Sequence, residues 1–411
     1  MKRVILLSFT ILLLMGCGLM GNKNKGKGSF HTGVYQNLFV ELLGLSKEEV
    51  KLKIDNVFNQ LFYGDDKNER VYYPVGNDMA YILDINNNDV RTEGMSYGMM
   101  ITVQLDKKEE FDRLWKWAKT YMQHQSGPHK DYFAWHCRAD GTKISENSAS
   151  DGEVWFVTTL FFASARWGDG EGIFNYRHEA QKILDAMLNK KEYSDERNVV
   201  TNMFNKKHKQ VVFVPSGEAD DFTDPSYHVP HYYELWALWA DKENNFWKDA
   251  ADTSRNFLKR AVHPVTGLAP DYSNFDGTPI DRWGGGHNNF QYDAWRVAMN
   301  VAVDYQWFAK DEWAVEQSNR LLSFFYSQGI KDYGSLYTLD GKVLFFDHSE
   351  GLVAMNAVAA LASDLEIREA FVRELWELKM PSGHYRYYNG LLTMLGLLQV
   401  SGNFRIYELN K

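Results

Sequence analysis

The chain predicts an all-α fold, a closed toroid of helical hairpins. Three observations carry that expectation. Apolar residues recur at helical spacing along most of the chain. Several of those stretches are apolar on nearly all sides, which marks a buried helix rather than a surface one. Strand-like runs are few, and Gly, Asp, Trp and Tyr gather instead in four long loops at 128–151, 215–231, 264–289 and 337–350. Paired helices with rich loops also suit an open helical solenoid. The many all-apolar stretches favour the closed ring, because each needs neighbours on every side. No internal sequence repeat is visible, so the hairpin count rests on the elements alone.

In chain order, the start reads as a targeting segment. Lys2 and Arg3 precede a short apolar run over 4–15, too short for a spanning helix of about 20 residues. The run ends in Leu14-Met15-Gly16-Cys17, which resembles a bacterial lipobox. The expectation is a signal peptide over 1–16, lipidation of Cys17, and a Gly/Asn/Lys-rich tether over 17–33. That places the protein in the bacterial cell envelope, lipid-anchored on the periplasmic or outer side; an ordinary secretory signal is the alternative. Residues 34–411 then form one domain, since no Pro/Ser-rich linker follows. Its helices are predicted over 47–61, 111–122, 153–167, 177–188, 232–240, 246–262, 290–308, 312–327, 351–362, 367–378 and 387–398. The short extended candidates are 81–84 and 211–214.

The 411 residues include 13 Trp, 23 Tyr and 25 Phe; most aromatics fill cores, and those at a concave surface can stack on the apolar face of a ligand. Net charge is −9 with no basic block in the domain, which argues against a nucleic-acid partner. Cys137 is the only cysteine besides Cys17, so no intrachain disulfide and no cysteine-based zinc site is expected within the domain.

Chemistry points to three acids, each where an apolar helix begins. Glu93 lies in Arg91-Thr92-Glu93-Gly94-Met95-Ser96-Tyr97-Gly98, ahead of a helix predicted near Ser96. Asp151 lies in Ala149-Ser150-Asp151-Gly152-Glu153. Asp293 lies in Tyr292-Asp293-Ala294-Trp295-Arg296. A carboxyl at the mouth of an apolar helix is poorly solvated, and desolvation raises its pKa toward what a general acid needs. Two such groups flanking one glycosidic bond suffice for its hydrolysis. Each acid taken singly reads equally as a helix cap. Arg296, three residues after Asp293, reads equally as its partner or as one half of a surface ion pair.

Four ordered motifs resemble glycoside hydrolase family 8: Thr92-Glu93-Gly94-Met95-Ser96-Tyr97-Gly98-Met99, Ala149-Ser150-Asp151-Gly152-Glu153, Asp224-Pro225-Ser226-Tyr227 and Tyr292-Asp293-Ala294-Trp295-Arg296. The resemblance runs from about residue 35 to the C-terminus. It implies an (α/α)6 barrel and an inverting mechanism with no metal or cofactor. Glu93 would be the general acid and Asp293 the general base. Asp151 would bind the sugar at the cleavage point, Tyr227 would help position the water, and Arg296 would orient Asp293. Glu153 would be structural.

The loop Leu339-Asp340-Gly341-Lys342-Val343-Leu344-Phe345-Phe346-Asp347-His348 resembles that of the reducing-end xylose-releasing exo-oligoxylanases, with Asp347-His348-Ser349 in place of Leu-His-Pro. It implies that His348 closes the cleft beyond the first leaving-group sugar, so that xylose leaves xylo-oligosaccharides one unit at a time. Trp283, Trp135, Trp155, Tyr232 and Tyr387 are the candidate sugar platforms, Trp283 and Trp135 the chosen two. Two alternatives stand beside this reading. One is an endo-acting family 8 xylanase or endo-glucanase with an open cleft. The other is a non-catalytic glycan-binding surface lipoprotein.

Overall fold

The computed structural model describes residues 26–190, 193–195, 198–217 and 219–409. The expected signal peptide over 1–16 and the expected lipidation site Cys17 lie outside them. Twelve long helices alternate between two layers. The inner six are α4 (Thr92–Gln104), α6 (Ser150–Trp167), α8 (Pro230–Trp239), α10 (Arg296–Phe308), α12 (Glu350–Ala359) and α14 (Arg386–Val400). The outer six are α3 (Lys47–Tyr63), α5 (Lys108–Trp117), α7 (Tyr176–Asn189), α9 (Asn244–Ala261), α11 (Trp313–Ser327) and α13 (Arg368–Glu377). Two short helices, α1 (Ser29–Thr32) and α2 (Leu38–Leu43), precede them.

The two layers follow from two sequence patterns. Outer helices are amphipathic: α9 buries Trp247, Ala250, Ala251, Ser254 and Leu258 and turns its charges outward, except Arg255, which is buried against Glu234 and Asp304. Inner helices are buried all round: every residue of α6 from Ser150 to Ser164 is buried, as is every residue of α12 from Gly351 to Ala359. The ring closes where α14 packs on α4. At Gly94 a Cβ would lie 2.5 Å from the Tyr387 ring, and at Gly152 a Cβ would lie 2.4 Å from Thr92 Cβ. Only glycine lets these helix starts approach so closely. Further round, Trp236 Nε1 donates to Thr158 Oγ1 at 3.0 Å and joins α8 to α6. The result is the (α/α)6 barrel, with the N-termini of all six inner helices at one end.

Every helix expected from the sequence is present; the helix expected over 111–122 runs from Lys108 and its last turn, Ala118–Met122, is a π-turn, and two starts are displaced by four residues or more. The helix expected near Ser96 begins at Thr92, so Glu93 lies in its first turn. The helix expected over 290–308 begins only at Arg296; Tyr292–Trp295 forms a 3-10 turn, and Tyr292 carries a positive φ of 24°. Strands were under-read. Tyr72–Val75 pairs antiparallel with Met79–Ile82, and shorter ribbons join Val90–Arg91 to His136–Cys137 and Leu336–Tyr337 to Val343–Phe345. Of the stretch expected to be extended at 211–214, only Val211 belongs to a strand, Gln210–Val211.

The end of the expected tether is packed. Ser29 is buried and its Oγ donates to the Gln306 carbonyl at 3.1 Å. A Cβ at Gly28 would fall 2.2 Å from the Trp307 carbonyl oxygen, and Phe30 packs on Phe308. These partners lie at the C-terminal end of α10, the pole opposite the inner helix starts. Apolar contact and one buried hydroxyl outweigh the flexible composition there. No described helix is long and apolar enough to cross a membrane.

Candidate active site

The six inner helix starts surround a cleft of about 830 Å³. Glu93, Asp151, Tyr227, Asp293 and Trp135 line it, together with Tyr292, Phe345, Tyr385, Tyr387 and Tyr388. The acids read from separate motifs therefore converge at one end of the barrel.

Their common partner is Arg296. It is 2% exposed, held on the first turn of α10 beneath the cleft. Its Nη1 lies 2.9 Å from Glu93 Oε2 and 3.2 Å from Asp151 Oδ2, and it donates to Tyr97 Oη at 2.6 Å. Its Nη2 lies 3.0 Å from Asp293 Oδ1 and donates to Ser226 Oγ at 3.0 Å. The Asp-x-x-Arg pair is thus no surface contact. One buried guanidinium organises three carboxyls, which a planar fork of donors does and an ammonium does not.

The carboxyls differ in environment. Glu93 is 16% exposed. Burial pushes its pKa up to about 7, against the pull of Arg296 and with the push of Asp293 and Asp151. Its other oxygen, Oε1, accepts from the Tyr387 hydroxyl at 3.0 Å. Asp151 is raised to about 6 by burial, with Arg296 opposing; its Oδ1 accepts from the Gly152 amide at 2.9 Å. Asp293 is the most open of the three, 31% exposed on the unhelical turn before α10. Tyr388 Oη stands 3.5 Å from Asp293 Oδ1 and donates to the Tyr292 carbonyl at 3.1 Å. A protonatable carboxyl and an open, Arg-held carboxylate in one cleft are the pair that acid–base hydrolysis requires.

The remaining expected residues divide. Trp135 stacks on His136 at 3.6 Å, and the Arg91 guanidinium stands 5.4 Å from its ring, so its face is fixed beside Glu93. Tyr387 reaches the cleft as the partner of Glu93. Trp155 and Tyr232 are buried and pack on each other at 5.3 Å. Trp283 is 64% exposed on a run of left-handed residues, Trp283 to Gly286, and stands outside the cleft lining beside Phe222. His348 is also outside the lining. Its Nδ1 lies 2.9 Å from the Tyr333 carbonyl, so its ring is turned toward the barrel wall, and its neighbour Asp347 faces the cleft. Glu153 is fully buried, raised to about 8 by that burial, and takes the Phe133 amide on Oε1 at 3.0 Å, which fits a structural role.

Sequence reasoning gave no role to Tyr292, Tyr385 and Phe345, three half-exposed rings at the cleft, nor to Asp224 and Asp271 beside Asp293. Asp224 and Tyr292 stand in two of the motifs and Phe345 in the loop 337–350; Asp271 and Tyr385 carry no periodic signal. Among the described residues, Asp224, Asp271 and Asp293 form the one group of three acids with oxygens all within 4.8 Å of one another, the only arrangement there resembling a cation site. It contains Asp293, whose charge Arg296 already balances.

Comparison with known proteins agrees with this geometry. Residues 81–402 match the profile of Glycosyl hydrolases family 8. The chain is 47% identical over 386 residues to the reducing-end xylose-releasing exo-oligoxylanase Rex8A of Paenibacillus barcinonensis, spanning 93% of this chain and 99% of that one. The structure of Rex8A complexed with xylose superposes with a TM-score of 0.88, covering 93% of this chain and 100% of the other. A family 8 xylanase from Teredinibacter turnerae, a catalytic mutant in a xylohexaose complex, superposes with a TM-score of 0.90 at 48% identity, covering 92% and 100%. With the barrel, the four motifs and the converging carboxyls all in place, the chain belongs to family 8 of the glycosyl hydrolases.

Proposed function

We propose that the protein is an inverting glycoside hydrolase that releases xylose from the reducing end of xylo-oligosaccharides. The observation that carries this is the attachment of Glu93 and Asp293 to opposite nitrogens of Arg296 at the mouth of one cleft. Glu93, kept protonated near neutrality by burial, gives its proton to the leaving oxygen. Asp293, held on Arg296 and open to the cleft, takes a proton from a water that attacks the opposite face of the sugar. Inverting sites place the two carboxyls roughly 6.5–9.5 Å apart to admit that water. Tyr227 lines the cleft within the field of Asp293 and Asp151, where it can orient the same water. Asp151 offers its carboxyl to the sugar ring at the cleavage point. Trp135, held by Arg91, supplies an apolar face for the ring.

The likeness to Rex8A along nearly its whole length supports xylose as the unit released. The test is digestion of xylotriose and of borohydride-reduced xylotriose, with the fresh anomer followed by NMR. The proposal expects α-xylobiose first formed from β-linked substrate, xylose as the co-product, and a sharp loss of rate on the reduced sugar. Retention of configuration overturns the mechanism. Equal rates on both sugars overturn the reducing-end reading.

A second reading, endo-cleavage, is favoured by the placement of His348. With its ring turned to Tyr333, that side chain does not wall the cleft. A ladder of products from polymeric xylan would support it. We also propose that Cys17 carries a lipid anchor in the cell envelope; loss of detergent-phase partitioning in Cys17→Ser tests it.

A further inference from the structure

Two more carboxyls stand beside the base, and neither lines the cleft. Asp224 and Asp271 are buried, and one oxygen of each lies within 4.8 Å of the other and of one oxygen of Asp293. Asp271 belongs to the loop 264–289 and is strapped down: its amide donates to the Asn289 carbonyl at 2.9 Å. Its Oδ2 lies 2.6 Å from His287 Nδ1 and accepts from Gln291 Nε2 at 3.2 Å. The His287 ring lies flat on Tyr272, with centroids 4.1 Å apart and planes within 9°. Asp271 Oδ1 and Asp224 Oδ2 are buried without a hydrogen-bond partner.

Three carboxyls so close cannot all ionise unless cations balance them. Arg296 holds Asp293. His287 stands on Asp271, and that contact raises its pKa above the ordinary histidine value. Asp224 has only the Ser226 amide, at 2.6 Å, and burial keeps its carboxyl far above the usual range. The other charged groups that face Asp293 are Glu93 and Asp151, both tied to Arg296. Tyr227 and Tyr388 also face it, and burial keeps both neutral. Asp281 faces His287 from its other side.

We propose that Asp271 is a positioning residue that strengthens Asp293 as a base by holding a negative charge beside it, and that His287 sets how far by pairing with Asp271. The inference rests on Asp293 being the base. A neighbouring like charge makes a carboxylate hold a proton more tightly, and a neighbouring cation does the reverse. The two members of the pair therefore act on Asp293 in opposite directions. That opposition is a signature that packing alone does not produce.

The experiment is the pH dependence of kcat/KM on xylotriose, whose acidic limb reports the free enzyme's base. Asp271→Asn removes the negative charge. The acidic limb moves to lower pH by about one unit, and kcat falls roughly three- to tenfold as the base weakens, with KM within about twofold. His287→Gln removes the cation, and the limb moves to higher pH. The double variant brings the limb back toward the wild-type position. Shifts in the same direction in both single variants, or a fall in kcat with the limb unmoved, overturn the inference. The His287 side chain is 28% exposed. Should Asp271→Asn not fold, the upward shift in His287→Gln decides alone, and its absence overturns the proposal. Asp293→Ala separates the two levels. If it retains activity, the base assignment itself fails; if it is inactive while the limbs stay put, only the role of Asp271 and His287 fails.

Discussion

Tyr387 donates its hydroxyl to Glu93 Oε1 at 3.0 Å, on the oxygen that Arg296 does not hold. The acid is therefore gripped from both sides, by a donor that carries charge and by one that does not. Burial keeps the Tyr387 hydroxyl well above the ordinary tyrosine range, so it stays a donor at every working pH. The grip fixes the direction in which Glu93 presents its proton.

Glu93→Gln removes the proton donor and leaves the shape. Its kcat on xylotriose should fall by about 10²–10⁴-fold, the usual contribution of a positioned acid. A xylobiosyl fluoride, whose leaving group needs no proton, should lose far less. Equal losses on the two substrates would show that Glu93 does not protonate the leaving group. The check is steady-state rates on both.

The alkaline limb of kcat/KM should lie near pH 7, where Glu93 gives up its proton. Tyr387→Phe takes away a hydrogen bond that stabilises the charged form, so that limb should move to higher pH. A limb that stays fixed or falls would contradict the contact described above.

The same raised pKa has a cost in stability. Glu93 ionises near 7 when folded and near 4.5 when the chain is open. A raised carboxyl is stabilising below the unfolded value and loses that contribution as pH rises through the folded one. Glu93→Gln should therefore melt higher than wild type at pH 8, by the equivalent of about 1–3 kcal/mol, and gain nothing at pH 4. Calorimetry at the two pH values checks the sign. The gain would be a case of a site strained for function.

Gly94→Ala places a methyl 2.5 Å from Tyr387 Cε2 and 2.7 Å from its hydroxyl. The ring must move, and it takes its hydrogen bond with it. Activity should fall at least as far as in Tyr387→Phe, and stability should drop by about 1–3 kcal/mol through overpacking. Adding Tyr387→Ala to Gly94→Ala should recover stability but not rate. Thermal melts and kcat on the three variants separate these effects.

What the sequence disclosed and what it hid follow from the range over which each signal acts. The inner helices were legible because stretches such as 153–167 are apolar on all sides, a property of a single segment. Glu93, Asp151 and Asp293 were legible because each sits where such a segment begins. The burial of Arg296 was not, since Asp293 and Arg296 at that spacing also describe a surface pair; only Glu93 and Asp151, arriving from other helices, make the site. The ribbons were missed because strands of two to four residues are too short to show alternation. Asp271 and His287 were missed because the loop 264–289 has no period, and their pairing spans 16 residues of irregular backbone. His348 was read from its neighbours in the chain, which do not show that its ring meets the Tyr333 carbonyl while Asp347 lines the cleft.

The first described residues tie the chain to the pole beneath α10, where Gly28 lies against Trp307 and Ser29 against Gln306. Gly28 and Ser29 thus mark the underside of the ring, the pole opposite the sugar entrance. A label or support joined to the protein at this point would face away from arriving oligosaccharides.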